Sequence, residues 1–346
     1  MKVLITGGAG FLGQRLAREL LARGGLRMTP QGSGAAPEPI TELVLLDVTA
    51  APGPDDARVR IEVGDITQRE VLERVIDTQT AVIFHLAAIL SSGAEADFEL
   101  GMRINVDATR TLLEVCRARG HKPRVVFTSS VAVYGGELPE EVQDDTALNP
   151  ESSYGTQKAI AELLLCDYSR RGFVDGRALR LPTVSVRPGK PNAAASSFAS
   201  AIMREPLNGE STVCPVSGAT PVLLISPRMA IQCLVAGAEI DPAALGDRRI
   251  VNLPGISTSV DEMVETLSQV GGAAAVARVE WEPDETVERI VSSWPASWNT
   301  KRARALHFPA DVSYHAIVQA YLEDELNAPH LRVPHLPHLR LPHKRH

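Results

Sequence analysis

The sequence predicts an α/β fold in which a doubly wound parallel sheet carries helices on both faces. Short apolar runs rich in β-branched residues alternate with stretches in which apolar residues recur at helical spacing, a pattern typical of parallel sheets with helical crossovers. This pattern is regular up to about residue 189 and then breaks into shorter pieces. We therefore expect a large domain at 1–189, to which 231–253 return, and a smaller α/β lobe formed mainly by 190–326.

The individual elements follow from these patterns. Strands are predicted at 2–6, 43–47, 59–63, 81–85, 124–128 and 179–181, with a returning strand at 249–253. Helices are predicted at 12–23, 67–77, 97–119, 154–171 and 311–325, and a further helical stretch begins at Arg228.

Composition excludes several classes of function. The net charge of −7 argues against a nucleic-acid-binding surface, and no apolar run approaches the roughly 18 residues of a membrane helix. The four cysteines are widely spaced without a C-x-x-C pattern, which indicates reduced thiols and no metal site. The first residues run directly into a glycine turn, so we expect no signal peptide and a cytoplasmic location.

A glycine-rich turn follows the first predicted strand. Gly7, Gly10 and Gly13 form a G-x-x-G-x-x-G pattern, and Phe11 and Leu12 open the helix that follows. In the order strand, glycine turn and helix, glycines let the backbone approach a diphosphate, and the helix N-terminus supplies N–H donors. This turn predicts a dinucleotide cofactor.

Two acidic residues refine the cofactor prediction. Asp47 ends the second strand, where a carboxylate accepts hydrogen bonds from ribose hydroxyls and repels a 2′-phosphate. No basic residue follows before Arg58, which favours NAD over NADP; a turn-starting Asp is the alternative. Asp65 and Ile66 are expected to bracket the adenine ring, the first at its amine and the second at its face.

The end of the fourth strand and the helix after it supply further candidates. Leu86, Ala87 and Ala88 are expected to line the cofactor channel, and we interpret the neighbouring His85 as a packing residue. Asn105 lies among apolar helix positions and must be hydrogen-bonded if buried. Asn105 either hydrogen-bonds a water or a backbone carbonyl near the active site or makes an internal structural hydrogen bond.

Tyr154 and Lys158 are the central candidates for catalysis. They are four residues apart, which places both side chains on one helix face. A phenol has a pKa near ~10, which a neighbouring ammonium or an oxidised nicotinamide lowers, so the pair suits proton transfer to or from a hydroxyl. Ser130, at the end of the fifth strand, is placed to stabilise the reacting oxygen. The Y-x-x-x-K spacing alone is common, and the upstream glycine turn is what makes it specific.

Taken together, these motifs resemble the extended short-chain dehydrogenase/reductase family, also called the NAD-dependent epimerase/dehydratase family, from Met1 to about residue 326. The resemblance implies a Rossmann-type fold with bound NAD. It assigns Ser130 as the catalytic Ser, Tyr154 as the acid/base, and Lys158 as the residue that binds nicotinamide ribose and lowers the tyrosine pKa. Asn105 falls near the helix-borne Asn of the family, and Pro182 and Val184 are further candidates for cofactor contact. The motifs that carry it are Gly7/Gly10/Gly13, Asp47, 64–66, 85–88, 128–130, Tyr154/Lys158 and 187–189.

Four stretches resemble a narrower group of this family, which oxidises the four-carbon sugar acid D-erythronate at its 2-hydroxyl. They are residues 84–89, 152–160, 168–173 and 187–196. The resemblance implies that the products are the 2-oxo acid and NADH.

The carboxylate of an acid substrate is best bound by a planar cation through two parallel hydrogen bonds, and an arginine supplies such a cation. Arg187 and Lys190 are the candidates, with Asn192 and Ser196 for the hydroxyls and Ser130 and Tyr154 at the reacting carbon. The alternative for Arg187 is a purely structural pairing.

Other readings remain open at this point. The main alternative is a nucleotide-sugar epimerase that keeps its NAD bound. Another is a non-catalytic NAD-binding protein, which the intact Ser130, Tyr154 and Lys158 disfavour.

By analogy with other proteins of this fold, the helices near 98–119 and 154–171 are candidates for a homodimer interface. Residues 327–346, rich in His and Pro, are expected to be a disordered tail without a catalytic role.

Overall fold

The computed structural model of the chain describes residues 1–29, 34–189 and 194–326. The strands are β1 (Lys2–Thr6), β2 (Gly25–Leu26), β3 (Glu38–Pro39), β4 (Glu42–Asp47), β5 (Val59–Val63), β6 (Thr80–His85), β7 (Arg124–Ser130), β8 (Asp175–Leu181), β9 (Thr183–Val184), β10 (Thr212–Cys214), β11 (Pro221–Ile225), β12 (Ile250–Asn252), β13 (Ile256–Ser259) and β14 (Val279–Trp281). The α-helices are α1 (Phe11–Arg23), α2 (Arg69–Val75), α3 (Ser91–Ala96), α4 (Phe98–Gly101), α5 (Ala108–Arg119), α6 (Ser153–Arg170), α7 (Phe198–Leu207), α8 (Pro227–Glu239), α9 (Pro242–Leu245), α10 (Val260–Val276), α11 (Glu285–Ser292), α12 (Lys301–Ala305) and α13 (Tyr314–Tyr321).

A parallel sheet forms the centre of the molecule, with the strand order β12–β8–β7–β6–β1–β4–β5. All five residues of β1 are buried, because helices cover both faces of such a sheet. The chain turns to one side of β1 to make β4 and to the other side to make β6. This switch point opens a crevice at the carboxyl end of β1, where ligands bind in doubly wound folds. The predicted fold class is confirmed.

Two groups of helices sandwich the sheet. On one face, α1 and α8 pack Leu16, Leu20, Ala230 and Leu234 against β1 and β8. On the other face, α2, α5 and α6 supply Leu72, Leu112, Leu113 and Leu165. Residues three or four apart share one helix face, so the spacing of these apolar residues places them together against the sheet.

Strand β8 starts at Asp175, earlier than the predicted start at 179. Charged residues interrupt its apolar pattern, yet they are buried because each is paired. Asp175 binds Arg124 at 3.2 Å and Arg177 at 2.9 Å, and Arg180 binds Glu162 at 2.6 Å.

The helix predicted at 97–119 is interrupted. A π-helical turn, Met102–Asp107, separates α4 from α5 and carries the buried Asn105. Such turns insert one extra residue and are frequent at functional sites, and apolar spacing does not reveal them.

The later part of the chain forms a second apolar core, built from α7, α10, α13 and the small pairing of β10 with β14. Strand β12 belongs to the central sheet, where it pairs with β8. The predicted division of the chain at residue 189 stays a prediction.

The end of the described chain returns to the first helix. After α13, a π-helical turn spans Leu322–Leu326, and its Asp324 pairs with Arg15 of α1 at 2.9 Å and with Arg228 of α8 at 2.5 Å. These ion pairs connect the second core to the helices on one face of the sheet.

Three of the sequence predictions fall outside the described residues: the tail 327–346, Lys190 and Asn192. Within the described ranges, no helix is long and apolar enough to cross a membrane. The same ranges contain no group of three His, Cys, Asp or Glu residues that would hold a metal ion.

Candidate active site

The glycine turn after β1 is too tight for side chains. Gly7 has φ of +73°, and a Cβ added there would lie 2.9 Å from the Ala87 amide nitrogen. A Cβ at Gly13 would lie 2.3 Å from the Gly7 carbonyl oxygen. Glycines are therefore required for α1 to approach the end of β1 this closely.

The start of α1 presents an anion site to the same crevice. Its first helical bond runs from the Gln14 amide to the Gly10 carbonyl at 2.9 Å, so the amides of Phe11, Leu12 and Gly13 have no carbonyl partner inside the helix. No acidic residue lies in its first turn. Amide donors and the positive end of the helix dipole fit a diphosphate.

Asp47 is fixed at the end of β4 beside the glycine turn. Its carboxylate accepts hydrogen bonds from the Ala9 amide at 3.0 Å and the Thr49 amide at 3.1 Å. Arg58, the next basic residue along the chain, is held by Asp56 through two hydrogen bonds of 2.9 and 2.6 Å. This pairing removes the nearest sequence candidate for binding a 2′-phosphate, in agreement with NAD.

Asp65 and Ile66 follow β5 on the adjoining side. The Asp65 carboxylate caps the local turn by accepting from the Thr67 amide at 2.8 Å. Ile66 is buried in the apolar core beneath the sheet. Contacts of these two residues with an adenine ring stay a prediction, as do those of Pro182 and Val184 with the cofactor.

The loop after β6 forms the opposite wall of the crevice. The Leu86 amide donates to the Thr6 carbonyl at 3.2 Å and the Ala87 amide to the Thr6 hydroxyl at 3.3 Å. Leu86, Ala87 and Ala88 are half-buried, so this loop lies beside the end of β1 with its side chains partly accessible.

Asn105 secures that loop from the π-helical turn. Its amide oxygen accepts from the Ile89 amide at 2.9 Å, and its nitrogen donates to the Ile89 carbonyl at 3.0 Å and to Gln157 at 2.7 Å. These bonds use both donors of the Asn105 amide and favour its structural reading. A direct contact with the cofactor stays a prediction.

His85 is a packing residue, and that prediction is confirmed. Its two ring nitrogens lie 2.7 Å from the Thr6 hydroxyl and 2.9 Å from the Thr109 hydroxyl. Burial, together with the charge of Lys158, lowers the pKa of His85 to about 3, so the imidazole is neutral.

Helix α6 approaches the end of β7 unusually closely. Ser152 caps the helix by accepting from the Gly155 amide at 3.1 Å, and a Cβ on Gly155 would lie only 2.0 Å from the Ala132 carbonyl oxygen. This contact brings Tyr154 close to Ser130, whose hydroxyl acts to lower the pKa of the phenol.

Lys158 lies one helical turn further along, under Tyr154. Its ammonium donates to the Thr128 carbonyl at 2.8 Å and lies 4.6 Å from the centre of the Phe127 ring and 5.7 Å from that of Tyr154. Burial lowers the pKa of Lys158 to about 7, and the charge of Glu162 opposes this shift.

The phenol of Tyr154 is protonated at neutral pH in these surroundings. Burial raises the pKa of Tyr154 to about 12, although the hydrogen bond with Ser130 and the charge of Arg187 act in the opposite direction. Further positive charge is needed to bring this phenol into the range of a general base.

Arg187 supplies a half-buried cation near Tyr154. In the described part of the chain no carboxylate pairs with it, and its Nε is buried without a hydrogen-bond partner. Burial, followed by the charge of Arg204, lowers the pKa of Arg187. The Arg187 backbone is fixed by α7, because its carbonyl accepts from Arg204 at 2.6 Å and its amide donates to Ser200 at 3.0 Å.

Ser196 lies in a short helical turn of the second core. It lines a small, mainly apolar cavity of about 10 Å³ together with Val131 and Thr183. Val131 directly follows Ser130, so this cavity opens next to the candidate catalytic serine. Binding of substrate by Ser196 stays a prediction.

Sequence reasoning missed Arg204 and the Glu162–Arg180 ion pair. The sequence could have indicated Glu162, since it follows Lys158 by four residues and therefore shares its helix face. Nothing in the sequence indicated Arg204, because its contact with the Arg187 carbonyl depends on how α7 packs.

Replacing Gly13 with alanine is expected to lower the affinity for NAD at least about tenfold, equal to 1.4 kcal/mol, because the new methyl group would push α1 away from the Gly7 carbonyl. Isothermal titration calorimetry of the free protein measures this. Gly120→Ala is the control, since Gly120 lies at a helix end with open space around it; its positive φ, which Gly13 lacks, makes the added methyl group a cost to stability alone. The control should cost about 1 kcal/mol of stability and leave NAD affinity unchanged; equal NAD affinities for wild type and Gly13→Ala would contradict the prediction.

Comparisons with known proteins agree with this geometry. A model of the NAD dependent epimerase/dehydratase family matches residues 3–222. The D-erythronate dehydrogenase of Cupriavidus necator is 61% identical over 94% of this chain and 98% of its own length. The D-erythronate dehydrogenase of Haemophilus influenzae is 45% identical over 94% of this chain and 100% of its own.

A solved structure is similar over the same extent. The nucleoside-diphosphate-sugar epimerase from Agrobacterium tumefaciens has a TM-score of 0.87 and 44% sequence identity, covering 94% of each chain. Family and relatives together make NAD the cofactor and the protein an oxidoreductase that acts on a CH–OH group. The chain belongs to the NAD dependent epimerase/dehydratase family.

Proposed function

We propose that this protein is a dehydrogenase of a small sugar acid, which oxidises the 2-hydroxyl of D-erythronate to give 2-dehydro-D-erythronate and NADH. The observation that carries the proposal is the half-buried Arg187 cation near Tyr154, which has a buried Nε without a hydrogen-bond partner and no carboxylate partner in the described residues. An acid substrate would supply that carboxylate. The similarity to two D-erythronate dehydrogenases supports the choice of acid.

The residues of the crevice fit NAD along its whole length. Gly7, Gly10 and the amides of Phe11, Leu12 and Gly13 would hold the diphosphate, as the tight glycine turn indicates. The remaining contacts would come from Asp47 at the ribose, Asp65 and Ile66 at the adenine, and Leu86, Ala87, Ala88, Asn105, Tyr154, Lys158, Pro182 and Val184 toward the nicotinamide. Bound NAD supplies a hydride acceptor for C2 and, when oxidised, a positive charge.

Tyr154 acts as the general base in the proposed reaction. Its oxygen accepts the proton of the 2-hydroxyl, while Ser130 donates a hydrogen bond to the same substrate oxygen as it becomes a carbonyl. Burial raises the pKa of Tyr154 to about 12, so in the proposed complex the Lys158 ammonium and the positive charge of oxidised NAD together stabilise the phenolate. The positive surroundings of the phenol therefore determine the pH at which the enzyme works.

Arg187 orients the substrate in the proposed complex. A guanidinium binds a carboxylate through two parallel hydrogen bonds, which would fix C2 relative to Tyr154. Ser196, Lys190 and Asn192 are proposed for the remaining oxygens of the acid. Arg204 supports this arrangement by binding the Arg187 carbonyl.

A second candidate is a nucleotide-sugar epimerase. It is favoured by the similarity to the Agrobacterium protein of that name. The same Ser130, Tyr154 and Lys158 would serve this reaction, but NAD would be reduced and reoxidised within one turnover, without net NADH release.

With purified protein and NAD, we expect NADH absorbance to develop with D-erythronate in a panel of four- to six-carbon aldonates and UDP- and GDP-sugars. Tyr154→Phe should lower kcat at least about 100-fold while retaining NAD binding, because only the proton acceptor is removed. Epimer formation from a nucleotide sugar, with no NADH from any acid, would reject the dehydrogenase in favour of the epimerase.

Arg187→Gln is expected to raise KM for the acid at least about tenfold, because a charge-assisted hydrogen bond contributes roughly 1.5–3 kcal/mol. The charge of Arg187 lowers the pKa of Tyr154, so its loss should also move the rise of kcat to higher pH. Arg187→Lys is the control: it should raise KM but leave the pH profile in place. Unchanged KM in both variants would assign Arg187 a purely structural role.

We also propose that the chain forms a homodimer through α4 and α6. Phe98 of α4 is 56% exposed and Leu163 of α6 is 65% exposed, and Phe98 lines a surface groove together with Met102 and with Ile160 of α6. Large apolar side chains grouped in this way mark interaction surfaces.

Light scattering during size-exclusion chromatography should give the mass of two chains. The double variant Phe98→Asp/Leu163→Asp should give one chain, because two carboxylates would be buried on association. Val312→Asp, at a valine that is 86% exposed elsewhere, should remain dimeric. A wild-type mass of one chain would rule out the proposed dimer.

A further inference from the structure

The ammonium of Lys158 lies in surroundings that oppose its charge. The residue is 2% exposed, and its hydrogen-bond acceptor is the neutral Thr128 carbonyl at 2.8 Å. The Phe127 ring covers another side, with its centre 4.6 Å away. Burial of an ammonium favours its neutral form unless a negative charge is close by.

Glu162 provides that negative charge. It follows Lys158 by four residues on α6, so both side chains lie on one helix face, and it is fully buried. Its carboxylate accepts two hydrogen bonds from Arg180 of β8, at 2.8 Å from Nε and 2.6 Å from Nη2. This two-pronged, charge-assisted bond fixes the position of the Glu162 carboxylate away from water.

Arg180 is anchored on its other side as well. Its Nη1 donates to the Tyr134 hydroxyl, which in turn donates to Asn252 at 3.1 Å. The Glu162–Arg180 ion pair therefore joins α6 to β8, to the turn after β7 and to the edge strand β12. Glu162 is the member of the pair that lies on the same helix as Lys158.

The other elements around Lys158 bring little compensating charge. From β6, His85 is neutral, since its pKa is about 3. From β7 come only the Thr128 carbonyl and the Phe127 ring. From α6 itself, Tyr154 is a neutral phenol, and Glu162 is the charge that raises the pKa of Lys158.

We propose that the Glu162–Arg180 ion pair is a positioning device for Lys158: Glu162 supplies the negative charge that holds the Lys158 ammonium on the Thr128 carbonyl, and Arg180 holds the Glu162 carboxylate in place. The inference rests on the role proposed above for Lys158. It makes Glu162 and Arg180 positioning residues that act on Tyr154 through Lys158, without contact with substrate or cofactor. The protonation of the lysine is thereby controlled from inside the fold.

The titration of Lys158 in the free protein tests this directly. Lysine labelled with ¹³C at Cε gives one NMR signal for each of the six lysines, and the signal missing in Lys158→Met identifies Lys158. In Glu162→Gln the midpoint of Lys158 should fall by about one pH unit or more, since a nearby carboxylate is removed. Glu162→Asp, which keeps the charge, should move it much less. An unchanged midpoint in folded Glu162→Gln overturns the proposal.

Two further variants separate charge from general loosening. Glu162→Gln/Arg180→Gln removes both charges, which buried pairs often tolerate, and should still lower the midpoint. Asp175→Asn breaks another buried ion pair on β8, but its partner Arg124 lies four residues before Thr128 on β7, about 13 Å away. It should reduce stability without moving the Lys158 titration; an equal shift there would overturn the proposal.

A kinetic experiment tests the same proposal. In Glu162→Gln, the fall of kcat at alkaline pH should move to lower pH, because Lys158 loses its proton at a lower pH than in the wild type. A kcat that falls equally at every pH, without such a shift, would indicate a structural role and contradict the proposal. The NMR titration needs no substrate. If no aldonate is oxidised, the proposed function is rejected, and the titration still decides the role of Glu162.

Discussion

The contact between α6 and the end of β7 is the constraint on which the site depends. The Lys158 ammonium binds the Thr128 carbonyl, and the backbone of Gly155 fits against the Ala132 carbonyl with no room for a side chain. A parallel strand exposes its last carbonyls at the edge where ligands bind. By bonding to one of them, α6 brings a phenol, a hydroxyl and an ammonium to the crevice that already receives the glycine turn.

The chemistry of the crevice follows from its positive local field. The protein as a whole has a net charge of −7, yet the N-terminus of α1, Lys158 and Arg187 lie around the site. Local charges in a cleft with low-dielectric walls outweigh distant ones. In the proposed reaction these charges would face two anions, a diphosphate at one end and a small carboxylate at the other, with the Tyr154 phenol between them.

The sequence predicted those parts of the structure that depend on local pattern. The strands around β1 and the glycine turn were visible because apolar runs and glycine spacing are local properties. The early start of β8 was missed because Asp175 and Arg177 resemble surface residues until their partners on other elements are known. The π-helical turn at Asn105 was missed for a related reason: it is stabilised by packing against α6 and the loop after β6, not by its own residues. The supporting charges Glu162 and Arg204 also depend on tertiary contacts.

The strand order has a consequence for how the chain assembles during synthesis. In the central sheet, each strand that follows β1 up to β8 pairs with one made earlier, first β4 and β5 on one side and then β6, β7 and β8 on the other. Strand β12 completes the sheet only after the intervening residues from Thr183 to Arg249 have emerged. Until then the edge of β8 is an unpaired row of backbone donors and acceptors, the kind of edge that recruits foreign strands. Charged side chains are one means by which strand edges avoid foreign pairing, and β8 has three of them, Asp175, Arg177 and Arg180.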